Sequence, residues 1–497
     1  MTIDAYSKLE QRFRRLGVLR DATEALQWDY AAMMPSGGGQ GRGEQLAELS
    51  AVCHSLLTDT QTGDLLDRAQ EDAALSPWQA ANLKAMRRKW AHATALSEDL
   101  VFAFSKACTA CETIWRTARA EADFAAVLPH LENLLSLVRQ CAAAKSEKLG
   151  LSPYDALLDE FEPGGRSADI DVRFAELEAF LPGFLNEVLE KQNANPAPPM
   201  PTAPFETDKQ RQLGLKLMTA LGFDFNHGRL DVSLHPFCGG TPDDVRITTR
   251  FDEADFSSAI MGVLHETGHA LYERGLPEDW RYQPVGEALG MGAHESQSLL
   301  VEMQMSRSRP FLEFAAPLMR DAFDGSGPAW EADSLYRNLI KVERGFIRVE
   351  ADEVTYPLHV ILRYRLEKQM IAGELPLADL PEAWNDGMES LLGIRPSSDR
   401  EGCLQDIHWY DGAWGYFPTY TLGAMTAAQL YAAALQSRPE ILAGIPKGNF
   451  EPLTDWLKEN VHSLGSSLSA EEMLKCASGR PLNADAFMGH LKSRYLA

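Results

Sequence analysis

Residues 257–275 read SSAIMGVLHETGHALYERG, and the rest of the chain is best read outward from them. Ile260, Leu264, Thr267 and Leu271 recur at three- and four-residue steps. At about 100° per residue they fall within roughly 60° of one another, which predicts an α-helix with one apolar back. His265 and His269 lie on the opposite side. Residues four apart stand one helical turn apart on one face, so the two imidazoles can grip a single metal ion. Glu266 sits one step round, able to reach a water on that ion without being a ligand. Asp255 or Ser257 can cap the start, and Gly275 can end the helix. A central strand does not fit these signals.

An H-E-x-x-H pattern also occurs on ordinary amphipathic helices, so the next segment matters. A catalytic zinc-type site takes three protein ligands and keeps one position open. Residues 287–305, EALGMGAHESQSLLVEMQM, place Leu299, Leu300 and Met303 at helical spacing. Glu295 is the best third ligand, far enough beyond His269 for a loop and an antiparallel helix. Its neighbour His294 points to another face and suits outer contact. Glu302, two turns further on, is positioned either to orient a ligand histidine or to stand solvated.

Composition sets the wider limits. The chain has 497 residues, 45% apolar and 24% charged, ordinary for a globular protein with a large core. Its formal net charge of −24 disfavours nucleic acid and anionic lipid as partners. The first residues, MTIDAYSKLEQRFRRLG, lack the apolar run of a secretory signal, and no stretch approaches a membrane span. The 7 cysteines are sparse and odd in number, which predicts free thiols in a reducing, cytoplasmic setting. The one C-x-x-C, Cys108 and Cys111, reads best as two buried positions of a helix.

The pattern is mainly α. Leu9, Phe13, Leu16 and Leu19, then Ala126, Leu131, Leu134, Leu135 and Val138, mark helices within a helical region reaching about residue 192. The glycine-rich stretch after Met34 reads as a loop before a helix at 44–49. Residues 193–204, NANPAPPMPTAP, cannot continue a helix and mark either a domain boundary or a surface crossing. A helix at 209–221 follows. Two β-like runs, 230–234 and 245–251, flank GGTPDD and predict a small hairpin or antiparallel sheet. Helical patterns then continue to the end.

These residues resemble the carboxypeptidase Taq family of thermostable metallocarboxypeptidases. The motifs recur in order: His235-Pro236-Phe237; Asp244-x-Arg246-x-Thr248; the H-E-x-x-H; His294-Glu295-Ser296-Gln297; Ile347-Arg348-x-x-Ala351-Asp352; and Gly402-x-x-Gln405-Asp406-x-His408-Trp409. The stretch from Gly415 to Gly423, the residues around Trp28 and both closing segments also match, so the resemblance covers essentially the whole chain. It implies a cytosolic, commonly homodimeric enzyme that releases single residues from peptide C-termini with broad tolerance, acting poorly on terminal proline. It implies one helical body, 1–497, split by a deep groove. Residues 1–204 form a groove wall, and 205–497 carry the metal with a small sheet beside it. The Pro-rich stretch then becomes a crossing within one body.

Chemistry and resemblance together assign roles. His265, His269 and Glu295 hold zinc, or cobalt or another divalent transition metal. Glu266 is the general base. Tyr420 and His408 are candidates to stabilise the oxyanion. Arg348 and Arg246 are first choices for the substrate carboxylate, because a guanidinium fork binds carboxylate in a bidentate way. Internal ion pairing is the alternative for each. His235, Asp244 and Gln405 either close the groove or brace its loops. Two other readings compete: a metallo-oligopeptidase that cuts internally, and a non-catalytic helical peptide-binding protein with a structural metal.

Overall fold

The computed structural model describes residues 4–233 and 235–497. Asp4 opens the first helix, Ala5–Ala32, by accepting a hydrogen bond from the Ser7 amide at 2.6 Å. Its buried Leu9, Phe13 and Leu16 pack against Leu65, Leu66, Leu83 and Met86, while Leu19 is half-buried. In the helix Phe124–Leu149 the buried stripe is Val127, Leu131, Leu134, Leu135 and Val138. Ala126, which the spacing includes, is exposed, and Val127 takes its place.

The glycine-rich stretch is more ordered than its composition predicts. A single 3₁₀ turn, Ser36–Gly38, leads directly into the helix Gly39–Thr58, so three of the glycines lie inside the helix. The helix Ser167–Ala194 runs two residues into the stretch expected to break it, and residues 195–204 then cross the surface as an extended strap. Arg337 donates to the carbonyls of Asn195 and Pro196, and Asn338 to that of Pro198. Side chains thus satisfy main-chain groups that prolines keep out of any helix. The strap delivers Phe205 into an aromatic cluster with Phe256, Phe323 and Trp330.

The small sheet is mixed rather than wholly antiparallel. Its strands are β1 (Gly228–Val232), β2 (Phe237–Thr241) and β3 (Asp244–Thr249), in spatial order β1-β3-β2. β2 and β3 form the hairpin, while β1 pairs with β3 in parallel. The two runs flanking GGTPDD are therefore neighbours, but they point the same way. The strand that folds back is FCGGT, whose glycines carry no β signal. Leu234, the last residue of the first run, lies outside the described residues. Val245 and Ile247 of β3 pack on Val263 and Ala270 of the helix Phe256–Gly275, which puts the sheet beside the H-E-x-x-H.

Two large apolar clusters share one element, the helix Pro418–Ser437. It turns Leu422, Met425 and Ala428 to one cluster, and Ala427, Leu430 and Ala434 to the other. Cys108 and Cys111 lie on the helix Glu98–Glu121 as free thiols, Cys111 buried, and burial raises both thiol pKa values. Among the described residues, no helix is long and apolar enough to cross a membrane.

Asp159 ties the helix Pro77–Ala95 to the helix Pro153–Phe161. It receives Arg88 at 2.8 Å, His92 at 2.9 Å and the Gly164 amide at 2.9 Å. Burial alone would raise its pKa, but His92 and Arg88 hold it well below the usual carboxylate range. A carboxyl more acidic folded than unfolded stabilises the fold above its unfolded pKa of about 4, and that stability is lost as pH falls. Asp159→Asn should cost about 2 kcal/mol at pH 7, less than a fully buried pair because Arg88 keeps some solvent. The difference from wild type should shrink in urea titrations as pH drops below about 4.

Candidate metal centre and groove

Asp255 starts the helix Phe256–Gly275, accepting from the Ser257 amide at 2.9 Å. Ser257 is thus inside the helix, and Gly275 ends it without a left-handed turn. Ile260, Leu264 and Thr267 are fully buried, as the apolar back requires, while Leu271, the fourth residue of that face, is half-buried. The next helix, Met291–Leu299, runs against this one at backbone contact. A Cβ on Gly268 would lie 2.4 Å from the Gln297 carbonyl oxygen and 2.6 Å from Ser298 Cα. The helix Pro418–Ser437 closes in from the other side: a Cβ on Gly423 would come within 2.9 Å of Glu295 Cβ. Glycine at both contacts leaves the Glu295 side chain a narrow slot beside the two histidines.

In that slot, Glu295 Oε2 lies 3.4 Å from His269 Nε2 and 3.8 Å from His265 Nε2. One donor atom from each of the three lies within 4.8 Å of the others. A tetrahedral ion with bonds of about 2.0–2.1 Å separates its donors by about 3.3 Å, so the set fits a divalent metal with small adjustment. It is the one such group of three found among the described residues.

The surroundings tune each donor. Burial drives the His269 pKa down to about 3, favouring the neutral imidazole that binds metal. Burial also opposes charge on His265, yet Glu295 and a hydrogen bond with Glu302 push it up to about 10. Three carboxylates, Glu266, Glu295 and Glu302, thus act on this imidazole and favour a cation here. Glu302 Oε2 meets His265 Nδ1 at 3.0 Å, while Arg307 holds Glu302 Oε1 at 2.7 Å. Orienting a ligand histidine through its second nitrogen is a usual outer-contact role. His294 stacks on His269 with centroids 4.5 Å apart and binds Glu273 at 2.8 Å.

Burial pushes Glu266 up to about 7, with His265 opposing. Its carboxylate, His265 and Glu295 line a cavity of about 660 Å³ that also takes in Arg348, Tyr356 and Tyr420. Family relationship can be read against this geometry. The model of the carboxypeptidase Taq (M32) metallopeptidase family matches residues 8–495. The chain belongs to that family. It is 35% identical to Thermostable carboxypeptidase 1 of Thermus thermophilus, covering 99% of this chain and 98% of that one. Among solved structures, Trypanosoma cruzi metallocarboxypeptidase 1 superposes with a TM-score of 0.97 at 39% identity, covering 99% of both chains. The M32 carboxypeptidase from Deinococcus radiodurans gives a TM-score of 0.93 at 35% identity, over 99% of this chain and 98% of that one. The protein is a metallocarboxypeptidase, its substrates are peptides, and its family implies a divalent metal.

The remaining residues of this M32 enzyme divide by position. Tyr420 faces the cavity, and its hydroxyl meets His408 Nε2 at 3.0 Å. His408 stands behind it, with burial driving its pKa down to about 4. Arg348 lines the cavity but is not free: Asp406 accepts its Nε at 3.0 Å and Nη2 at 2.8 Å. Arg363 also binds Asp406, at 2.6 Å, so two guanidinium groups share one carboxylate and a positive charge is left over. Arg246 is paired with Asp244 at 3.0 Å and stacks 4.5 Å over Trp28 of the first helix. Neither Arg246 nor Asp244 is among the residues lining the metal cavity. Gln405 braces a loop: it accepts from the Arg348 amide and donates to the carbonyls of Phe346 and Glu401. His235 is exposed beside Pro236, which lines the cavity.

Three contributors escaped sequence reasoning: Tyr356, Arg307 and Arg363. Tyr356 lies eight residues past Arg348 and brings its hydroxyl to 3.4 Å from Arg348 Nη1. Its place in the Ile347-to-Asp352 neighbourhood was the available signal. Arg307 and Arg363 left none, because their partners are set by folding.

Gly268→Ala should force the two ligand-bearing helices apart. The expected cost is about 1–3 kcal/mol from overpacking, with metal affinity falling at least about tenfold as Glu295 loses alignment. Chelator competition and thermal unfolding on the same sample check both.

Proposed function

We propose that the whole chain acts as one catalytic unit that removes C-terminal residues from peptides with broad side-chain tolerance. The observation that carries this reading is the buried Glu266 beside His265 and Glu295 in a cavity that Arg348 and Tyr420 also line. His265, His269 and Glu295 hold the ion. Zinc suits imidazole and carboxylate donors, and cobalt follows similar preferences. A divalent ion there supplies Lewis acidity to the attacking water and to the scissile carbonyl.

Glu266 takes the proton of the attacking water on its carboxylate and passes it to the leaving amine. A pKa near the working pH suits both transfers. Tyr420 donates its hydroxyl to the developing oxyanion, with His408 fixing that hydroxyl from behind. Arg348, carrying the surplus positive charge over Asp406, receives the terminal carboxylate, with Tyr356 beside it. The cavity's size supports tolerance of many side chains. A cytoplasmic homodimer completes the proposal, on the family resemblance.

The test is mass spectrometry of one peptide as free acid and as amide, incubated with metal-loaded protein. Stepwise loss from the free acid alone is expected, and a chelator should abolish it. Equal cleavage of the amide would instead mark an internally cutting oligopeptidase. Glu266→Gln should lower kcat by at least about 10²-fold while leaving metal affinity within a few-fold. Unchanged turnover would remove Glu266 from the mechanism.

A further inference from the structure

The segment that follows Glu295 is not an ordinary helix. Leu300–Ser306 winds as a π-helix, and the Arg307 amide bonds back five residues to the Glu302 carbonyl at 3.2 Å. Such wide turns cost stability and persist where something holds them. Here the wide turn carries Glu302, whose carboxylate orients His265. Glu302 lies within the wide segment, so the direction of its carboxylate towards His265 is set by that winding.

What holds the turn comes from the far end of the chain. The carbonyls of Met303 and Gln304, near its C-terminal end, accept from the two terminal nitrogens of Arg494. Arg494 lies on the last helix, Asp485–Tyr495. A cation at a helix C-terminus both satisfies carbonyls and faces the negative end of the dipole. The planar fork serves two carbonyls at once, which an ammonium does poorly. Glu353 completes the clamp: it accepts Arg494 at 3.0 Å, His490 at 2.7 Å, Gln304 at 3.1 Å and the Tyr495 hydroxyl at 3.3 Å. The Arg494 and Glu353 side chains are only 6% and 5% exposed, so the pair is sealed from solvent competition.

We propose that Arg494, neutralised by Glu353, is a positioning residue for the metal centre, capping the wide turn so that Glu302 orients His265. The inference rests on the metal reading above and adds the C-terminal helix to it. Arg494 touches neither metal ligand nor substrate; it acts through two carbonyls and Glu302.

The experiment measures divalent-metal affinity of the full-length protein by zinc competition with a chromophoric chelator. Peptide kinetics and thermal unfolding of the metal-free form accompany it. Arg494→Met should weaken zinc binding about 10–100-fold and lower kcat with KM nearly unchanged. Arg494→Lys, keeping the charge without the fork, should recover part of the loss. Glu302→Ala should weaken binding similarly, and the double variant Glu302→Ala/Arg494→Met should be no weaker than Glu302→Ala alone. Multiplying losses in the double variant, or a lowered unfolding temperature with unchanged zinc affinity, would overturn the proposal. Should Arg494→Met fail to fold, Arg494→Lys and Glu353→Gln carry the same comparison. Wild-type protein that takes up no zinc would overturn the metal reading, and this inference with it. Wild-type protein that binds tightly, with Arg494→Met binding equally, would overturn this inference alone.

Discussion

The candidate metal centre depends on two helices meeting without side chains between them. At Gly268 the helix bearing His265 and His269 lies against the backbone of the helix bearing Glu295, near Gln297 and Ser298. A methyl group there would overlap a carbonyl oxygen. Gly423 allows the same closeness on the opposite flank of Glu295. Ligand donors must converge to within a few ångströms, while helices with ordinary side chains pack about 8–10 Å apart. The glycines let a short carboxylate side chain bridge that gap.

Around this contact the charges are uneven by arrangement. Three carboxylates bear on His265, an excess of negative charge that favours a cation. Arg348, which lines the same cavity, shares Asp406 with the buried Arg363, an excess of positive charge that favours an anion. The proposed metal ligands and the proposed carboxylate binder thus carry opposite surplus charges. Burial makes each imbalance matter, because little water is present to screen it.

Legibility in the sequence varied with the range of the interaction. The H-E-x-x-H helix was readable because its signal is local: a 3.6-residue apolar period, a capping Asp255 and two histidines one turn apart. Glu295 was readable through its place on a second amphipathic stretch. β2 was not, since Phe237–Thr241 gains its strand conformation from pairing with β3 rather than from its glycines. The parallel partnership of β1 and β3 was hidden for the same reason. Arg246 and Arg348 looked alike as candidate carboxylate binders, yet only Arg348 lines the metal cavity, while Arg246 pairs with Asp244 and stacks on Trp28.

By itself the sequence determined the helical class and pointed to His265, His269 and Glu295, which the fold brings together, with Glu266 beside them, because local periodicity and motif spacing carry that information. Tertiary structure decided which charges remain uncompensated, which tyrosines reach the groove, and that Leu300–Ser306 winds wide under a clamp from Arg494. Those outcomes depend on contacts such as that between Arg494 and Met303, 191 positions apart. No local pattern records such contacts; they exist only once the apolar faces have packed.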